Sequence, residues 1–182
     1  MLHVTMADTT NMLLAASIVG SIDVFWFHLW RLRLYRQPGS VAEEAAHLAG
    51  YVLFIAIAVA LLTADSPHEA RGLVLGLFAI NLTIIAADVL LERSSRAPLG
   101  GLPSVEYLLH VLIVFVFGLG GAAATFWWAS RPETGAPLDG LDRTRIVGSI
   151  GFTTVLMVIE AGLFSRALLA RRRHSRLRTA TI

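Results

Sequence analysis

The sequence predicts an all-α integral membrane protein, a single bundle of five transmembrane helices, and three observations predict it. Of 182 residues, 55% are hydrophobic and the mean hydropathy is +0.67, more apolar than an ordinary soluble domain. Five apolar runs, at about 12–34, 41–63, 72–91, 104–128 and 146–169, reach or approach the roughly 20 residues a bilayer requires. Lipid offers no hydrogen bonds, so each run should be helical. The basic residues, all of them Arg, gather in alternate connections and in the tail at 170–182.

The first span carries Asp23, then Trp26, His28 and Trp30 near its end. No Arg precedes it in Met1 to Asn11, so it lacks the basic n-region of a cleaved signal and is expected to be retained. A basic connection follows (Arg31, Arg33, Arg36), and the second span opens on Ser40-Val41-Ala42-Glu43-Glu44-Ala45-Ala46-His47. A polar connection, Asp65 to Glu69, leads to the third span, which has Gly72-x-x-x-Gly76 at one end and Asp88 and Glu92 at the other. Arg93 and Arg96 form the second basic connection. The fourth span opens on Pro103-Ser104-Val105-Glu106-Tyr107-Leu108-Leu109-His110 and ends on Phe126, Trp127 and Trp128. An acidic loop, Glu133 to Asp142, precedes the fifth span, which holds Glu160 and runs into Arg166, Arg171, Arg172, Arg173, Arg176 and Arg178.

With the N-terminus outside and the C-terminus inside, eleven Arg lie on the cytoplasmic side and four (Arg71, Arg131, Arg143, Arg145) on the other, as the positive-inside rule prefers. The expected location is the inner (plasma) membrane, and the exclusive use of Arg points to a bacterium. Phe126, Trp127 and Trp128 then read as an outer aromatic belt and Trp26 and Trp30 as an inner one. Gly72, Gly76, Gly118, Gly120 and Gly121 read as close helix packing, since no strand precedes them to make a phosphate-binding loop.

Net charge +2 and a pI near 9.7 would ordinarily raise nucleic-acid binding, but Arg in short loops and a tail suits membrane topology and anionic lipid heads instead. The absence of Cys excludes disulfides, thiolate metal sites and thiol redox chemistry.

An internal repeat carries the chemistry. The second and fourth spans open on near copies with Glu-x-x-x-His, and each follows a span that ends in Asp-Val, at Asp23-Val24 and Asp88-Val89. Counted from the basic end, Asp23, His47, Asp88, His110 and Glu160 all fall roughly 7–12 Å inside the same membrane face at 1.5 Å per residue. Residues four apart share a helix face, so Glu43 joins His47, Glu106 joins His110 and Glu92 joins Asp88. Ionisable groups in lipid cost roughly 2.5–3.5 kcal/mol each on insertion scales, so a convergent set needs a metal, a counter-charge or a proton path.

The expected metal set is Asp23, Glu43, His47, Asp88, Glu106, His110 and Glu160, with His28, Glu44 and Glu92 as secondary candidates. In that scheme Glu43, His47, Glu106 and His110 are terminal ligands, while Asp23, Asp88 and Glu160 bridge or complete the shell. Carboxylates and imidazoles suit iron, manganese or zinc better than copper(I), and seven acids are too many for one ion. Two divalent ions, iron foremost, are therefore expected. The set is similar in its chemistry to the carboxylate-bridged dinuclear sites of ferritin-like bundles, which combine Glu from two helices with Glu-x-x-His from two others. Glu44-Ala45-Ala46-His47 has that spacing, while Glu106 stands one position further from its His.

Simpler roles stand beside these. Glu43, Glu44 and Glu106 also suit first-turn acids opposing the helix dipole, with Ser40 and Ser104 as caps. An inward-reaching Arg would make an ion-pair network of the buried acids. His28, five residues from Asp23 and so roughly 140° round an α-helix, is directed away from the site towards the headgroups. His3, His68 and His174 lie in terminal or loop segments and are expected in solvent.

The function these readings favour is a membrane oxidoreductase whose metals activate dioxygen or water, acting on a lipid, quinone or other membrane-soluble substrate. The alternatives are b-type haem held by His47 and His110, transport of protons or divalent metal by a homo-oligomer, and a structural subunit of a larger complex.

Overall fold

The computed structural model describes residues 4–63, 70–130 and 138–179, with side chains as far as Arg171. His3, His68 and the side chain of His174 fall outside the described residues. The five long helices are α1 (Met6–Asp23, continued by a π-helical stretch, Val24–Arg31), α2 (Val41–Thr63), α3 (Arg71–Arg96), α4 (Ser104–Ser130) and α5 (Gly140–Thr179). All five are long and apolar enough to cross a membrane.

Where boundaries differ from the hydropathy reading, local chemistry explains the difference. The first helix begins at Met6 rather than near residue 12 because Thr5 and Asp8 form a capping box: the Thr5 backbone N–H and hydroxyl both donate to Asp8 Oδ2, at 2.7 and 2.8 Å. Helix α3 runs past residue 91 to Arg96, because Glu92, Ser95 and Arg96 continue the face that carries Asp88 and are buried. It stops at Gly100 and Gly101, with φ of 96° and 95°, left-handed values that glycine adopts without strain. The Gly101 N–H caps the Arg96 carbonyl at 2.9 Å, and the reversal leaves Glu106, ten residues on, against the Arg96 side chain. Helix α5 starts at Gly140 behind Asp139, whose Oδ1 accepts the Asp142 N–H at 2.6 Å, and Asp142 in turn ties α5 to α1 through the Thr10 hydroxyl at 2.7 Å.

The two sequence repeats interleave in space. Helix α1 packs mainly against α4 and α2 mainly against α3, while α5 lies against both α1 and α2. Each repeat thus places its first helix beside the second helix of the other.

The surface and interior are inverted relative to a soluble bundle. Val52, Ile80, Leu90, Leu108, Phe115, Val155 and Val158 face outward, while the interior near the basic end is rich in ionisable groups. Away from the basic end lies an apolar core of Leu13, Ile57, Leu61, Phe78, Phe117 and Trp128.

Trp127 and Trp128 belong to this core, at 2% and 1% exposure, rather than to an interfacial belt. Consecutive residues point about 100° apart on a helix, so the three aromatics cannot share one face, and Trp127 and Trp128 extend the buried row Phe117, Gly120, Ala124. Phe126, Trp26 and Trp30 are exposed. Of the glycines, Gly120 and Gly121 mark close packing, since an added Cβ would stand 3.2 Å from Met12 and Phe78 respectively. Gly72, Gly76 and Gly118 face open space.

Candidate metal centre

The structure brings together all ten residues that the sequence nominates. Asp23, His28, Glu43, Glu44, His47, Asp88, Glu92, Glu106, His110 and Glu160 converge between the helices near the basic end, all buried except the half-buried His47, whose side chain is 8% exposed. The matched depth does this: five helices each turn an acidic or imidazole residue inward at one level.

The interleaving sets the first contacts. His47 of the first repeat meets Asp88 of the second, Nε2 to Oδ2 at 2.8 Å, and His110 of the second meets Asp23 of the first at 3.2 Å. His47 also turns Nδ1 to Glu160 Oε1 of α5 at 3.4 Å. His110 Nδ1 donates to the Glu106 carbonyl at 2.9 Å, which in a neutral ring leaves the Nε2 lone pair facing Glu92 Oε1 at 2.6 Å and Asp23. A nitrogen oriented this way by a backbone carbonyl is how metal-ligating His is usually held.

His28 stands at the centre rather than facing the headgroups. Val24–Arg31 is a π-helix, closed by the bond from the Leu32 N–H to the Phe27 carbonyl at 2.9 Å. In a π-helix the bonds run i to i+5, so a residue five places on returns to nearly the same face. That returns His28 to the face of Asp23. Its ring stacks on His47 at 4.4 Å between centroids and lies 6.2 Å from His110. Its Nε2 is 3.7 Å from both Asp23 and Glu106, and its Nδ1 3.8 Å from Glu160.

Arg96, which the sequence reading places in the basic connection, is fully buried and is the only buried Arg among the described residues. It forms a fork between the two repeats' matching acids. Nη1 bonds Glu43 at 2.7 Å, while Nε bonds Glu106 at 3.0 Å and Nη2 bonds the same carboxylate. Ser95 adds a hydroxyl to Glu43. The signal for Arg96 lay in its spacing, since Asp88, Glu92 and Arg96 follow in steps of four along one face. Nη2 also approaches His28 Nε2 at 3.3 Å, and since a guanidinium only donates, a neutral His28 in this arrangement carries its proton on Nδ1.

Glu43 and Glu106 thus have a guanidinium beside them, while Asp23, Asp88, Glu92 and Glu160 face imidazoles. Both oxygens of Glu44 lack a hydrogen-bond partner at 1% exposure, as do Asp23 Oδ1, Asp88 Oδ1, Glu92 Oε2 and Glu160 Oε2. Ser40 makes no cap either, its buried hydroxyl being unbonded. Four overlapping sets of three donors have their atoms within 4.8 Å of one another, and two of these sets share no residue: Asp88, Glu92 and His110, and His28, Glu44 and Glu160. His47 touches one acid of each group, Asp88 and Glu160. No known protein family matches this chain, and neither a curated protein nor a solved structure does.

Proposed function

We propose that this chain is an integral-membrane metalloprotein with a dinuclear carboxylate and imidazole centre, an oxidoreductase acting on a membrane-soluble substrate. One observation carries the proposal: seven buried carboxylates face one buried guanidinium. Burying an uncompensated ion costs several kcal/mol even after relaxation, so this excess calls for further positive charge or for protons. Two divalent cations beside Arg96 would cut the formal excess from six negative charges to two.

The two disjoint donor groups give each ion two carboxylates and one imidazole, a set that suits iron, manganese or zinc. Separations of 2.6–3.2 Å around His110 Nε2 are of the order expected between donors that each stand about 2.0–2.2 Å from a shared ion. His47 then joins the two positions, and Glu43 and Glu106, held by Arg96, support the ligands from behind. To ligate through Nδ1, a neutral His28 would take its other tautomer, with the proton on Nε2 towards Asp23 and Glu106. The metals would supply charge stabilisation and a redox equivalent.

The stacking of His28 on His47 favours bare ions over haem, since a ring plane between His47 and His110 would need that space. The positive-inside bias supports a reading in which the basic end faces the cytoplasm. One observation favours a second reading: the Arg96 pairing with Glu43 and Glu106 is what a purely structural ion-pair network would use.

Elemental analysis of gently purified protein separates the two. About two equivalents of iron, manganese or zinc, lost in His47→Ala and His110→Ala, are expected from the metal centre. Metal-free protein would leave the ion-pair network.

A further inference from the structure

Behind the centre lies a chamber that its chemistry does not use. Seven residues, two helical turns or roughly 10 Å, separate His47 from Phe54, Asp88 from Asn81 and His110 from Phe117 along matching faces. These two tiers, completed by Asp23 below and Thr153 above, enclose a cavity of about 120 Å³ with apolar walls. Its floor is the polar centre, and its roof sits towards the middle of the bundle.

The roof holds an unused hydrogen-bonding group. Asn81 is 2% exposed and its Oδ1 has no partner. That oxygen stands 3.5 Å from where a Cβ on Gly50 would be, an ordinary contact distance, and Asn81 and Gly50 both line the chamber. Leaving such a group unbonded in an apolar surround costs about 1–3 kcal/mol, which a bound polar atom would recover.

The chamber also adjoins the outer surface of the bundle. Ser21 and Leu156 line it and at the same time line an open groove between α1 and α5 whose other walls include the exposed Ile22, Phe25, Phe152 and Val155. Small residues, Gly148 and Gly151, keep the groove deep.

We propose that chamber and groove form one binding site for a chain-bearing alcohol or phenol, with the neutral head under Asn81 and the apolar chain leaving between α1 and α5. Size limits the head, since an apolar cavity of about 150 Å³ holds one benzene ring. Charge is excluded by the route, because a charged head would cross mid-bilayer to pass Ser21 and Leu156. The inference rests on the metalloprotein reading only for what befalls the head; occupancy itself needs no metal.

The test therefore uses the protein as gently purified, with its metal content measured, in lipid nanodiscs and a 4-alkylphenol with a diazirine on its chain. Photolabelling is expected on Ile22, Phe25, Phe152 and Val155, reduced at least tenfold by excess 4-alkylphenol and little by the matching O-methyl ether or alkylammonium. Gly50→Val and Leu156→Trp, which fill the chamber from opposite sides, should each abolish the competed fraction. In Asn81→Leu, phenol and ether should compete equally. Labelling that a plain alkane competes as well as the phenol, or that survives both filling variants, would overturn the proposal and leave a groove for bulk lipid chains. Two metals with uncompeted labelling would refute the chamber alone, and competed labelling without metal would refute the centre alone.

Discussion

The two repeats share a frame and differ in what they hang on it. Both offer an Asp on the first helix and Glu-x-x-x-His on the second, and both pass their Asp and His to the opposite repeat. Beyond that they part. The first adds His28 through a π-helical stretch and Glu44 beside Glu43; the second adds Glu92, Ser95 and Arg96 along a regular α-helix, and where Glu44 would recur it has the outward-facing Tyr107. One half has supplied a neutral ligand and an unpaired acid, the other the cation, and the two meet where Arg96 approaches His28. A symmetric frame positions the donors, and the asymmetry decides which acids a guanidinium neutralises.

Removing the cation should have the largest effect. In Arg96→Met the volume is kept, but Glu43 and Glu106 lose their partner, and breaking a buried pair from one side costs about 3–5 kcal/mol. Poor yield and a steep fall in Tm are expected. Adding Glu43→Gln and Glu106→Gln to the same chain should recover most of that loss. Retention of two metals in the triple variant would show that these acids support ligands, and loss of both would return them to the coordination shell as the sequence alone proposed.

A smaller effect comes from disabling one donor group at a time. Glu44→Gln acts on the group of the first repeat and α5, Glu92→Gln on the group of the second, and each should lower metal content from two equivalents to one with little change in Tm. The double variant should hold none. If Glu92→Gln removes both ions and Glu44→Gln neither, the centre is mononuclear and Glu44 serves only the dipole of α2.

The difference between the repeats also explains what was legible in advance. Helix number and the level of the ligands followed from hydropathy and a rise of 1.5 Å per residue, because lipid enforces regular helices. His28 was only a secondary candidate, since its position depends on a change of helical period that no residue type announces. Arg96 was hidden by the same rule that found the spans: an Arg beyond an apolar run counts as loop, although its spacing from Asp88 and Glu92 placed it on the ligand face. Trp127 and Trp128 were misplaced because aromatic composition was read without the angle between neighbours.

The π-helix itself allows the finest comparison. Asp23 and His28 are five apart and need it; Asp88 and Glu92 are four apart and do not. Deleting Trp26, which is 52% exposed and contributes to the surface only, gives the first repeat the spacing of the second. An ordinary α-helix would then carry the imidazole on the face of Asp23, and metal content should stay at two equivalents with a small shift in Tm. Inserting one Ala after Leu90 runs the exchange in reverse, because Asp88 and the displaced Glu92 would share a face only if α3 formed a π turn of its own. That insertion should lose one equivalent, since nothing else in α3 favours such a turn. Loss of metal on deleting Trp26 would mean that the π geometry aims the His28 ring as well as rotating its position, making helical period itself part of the ligand set.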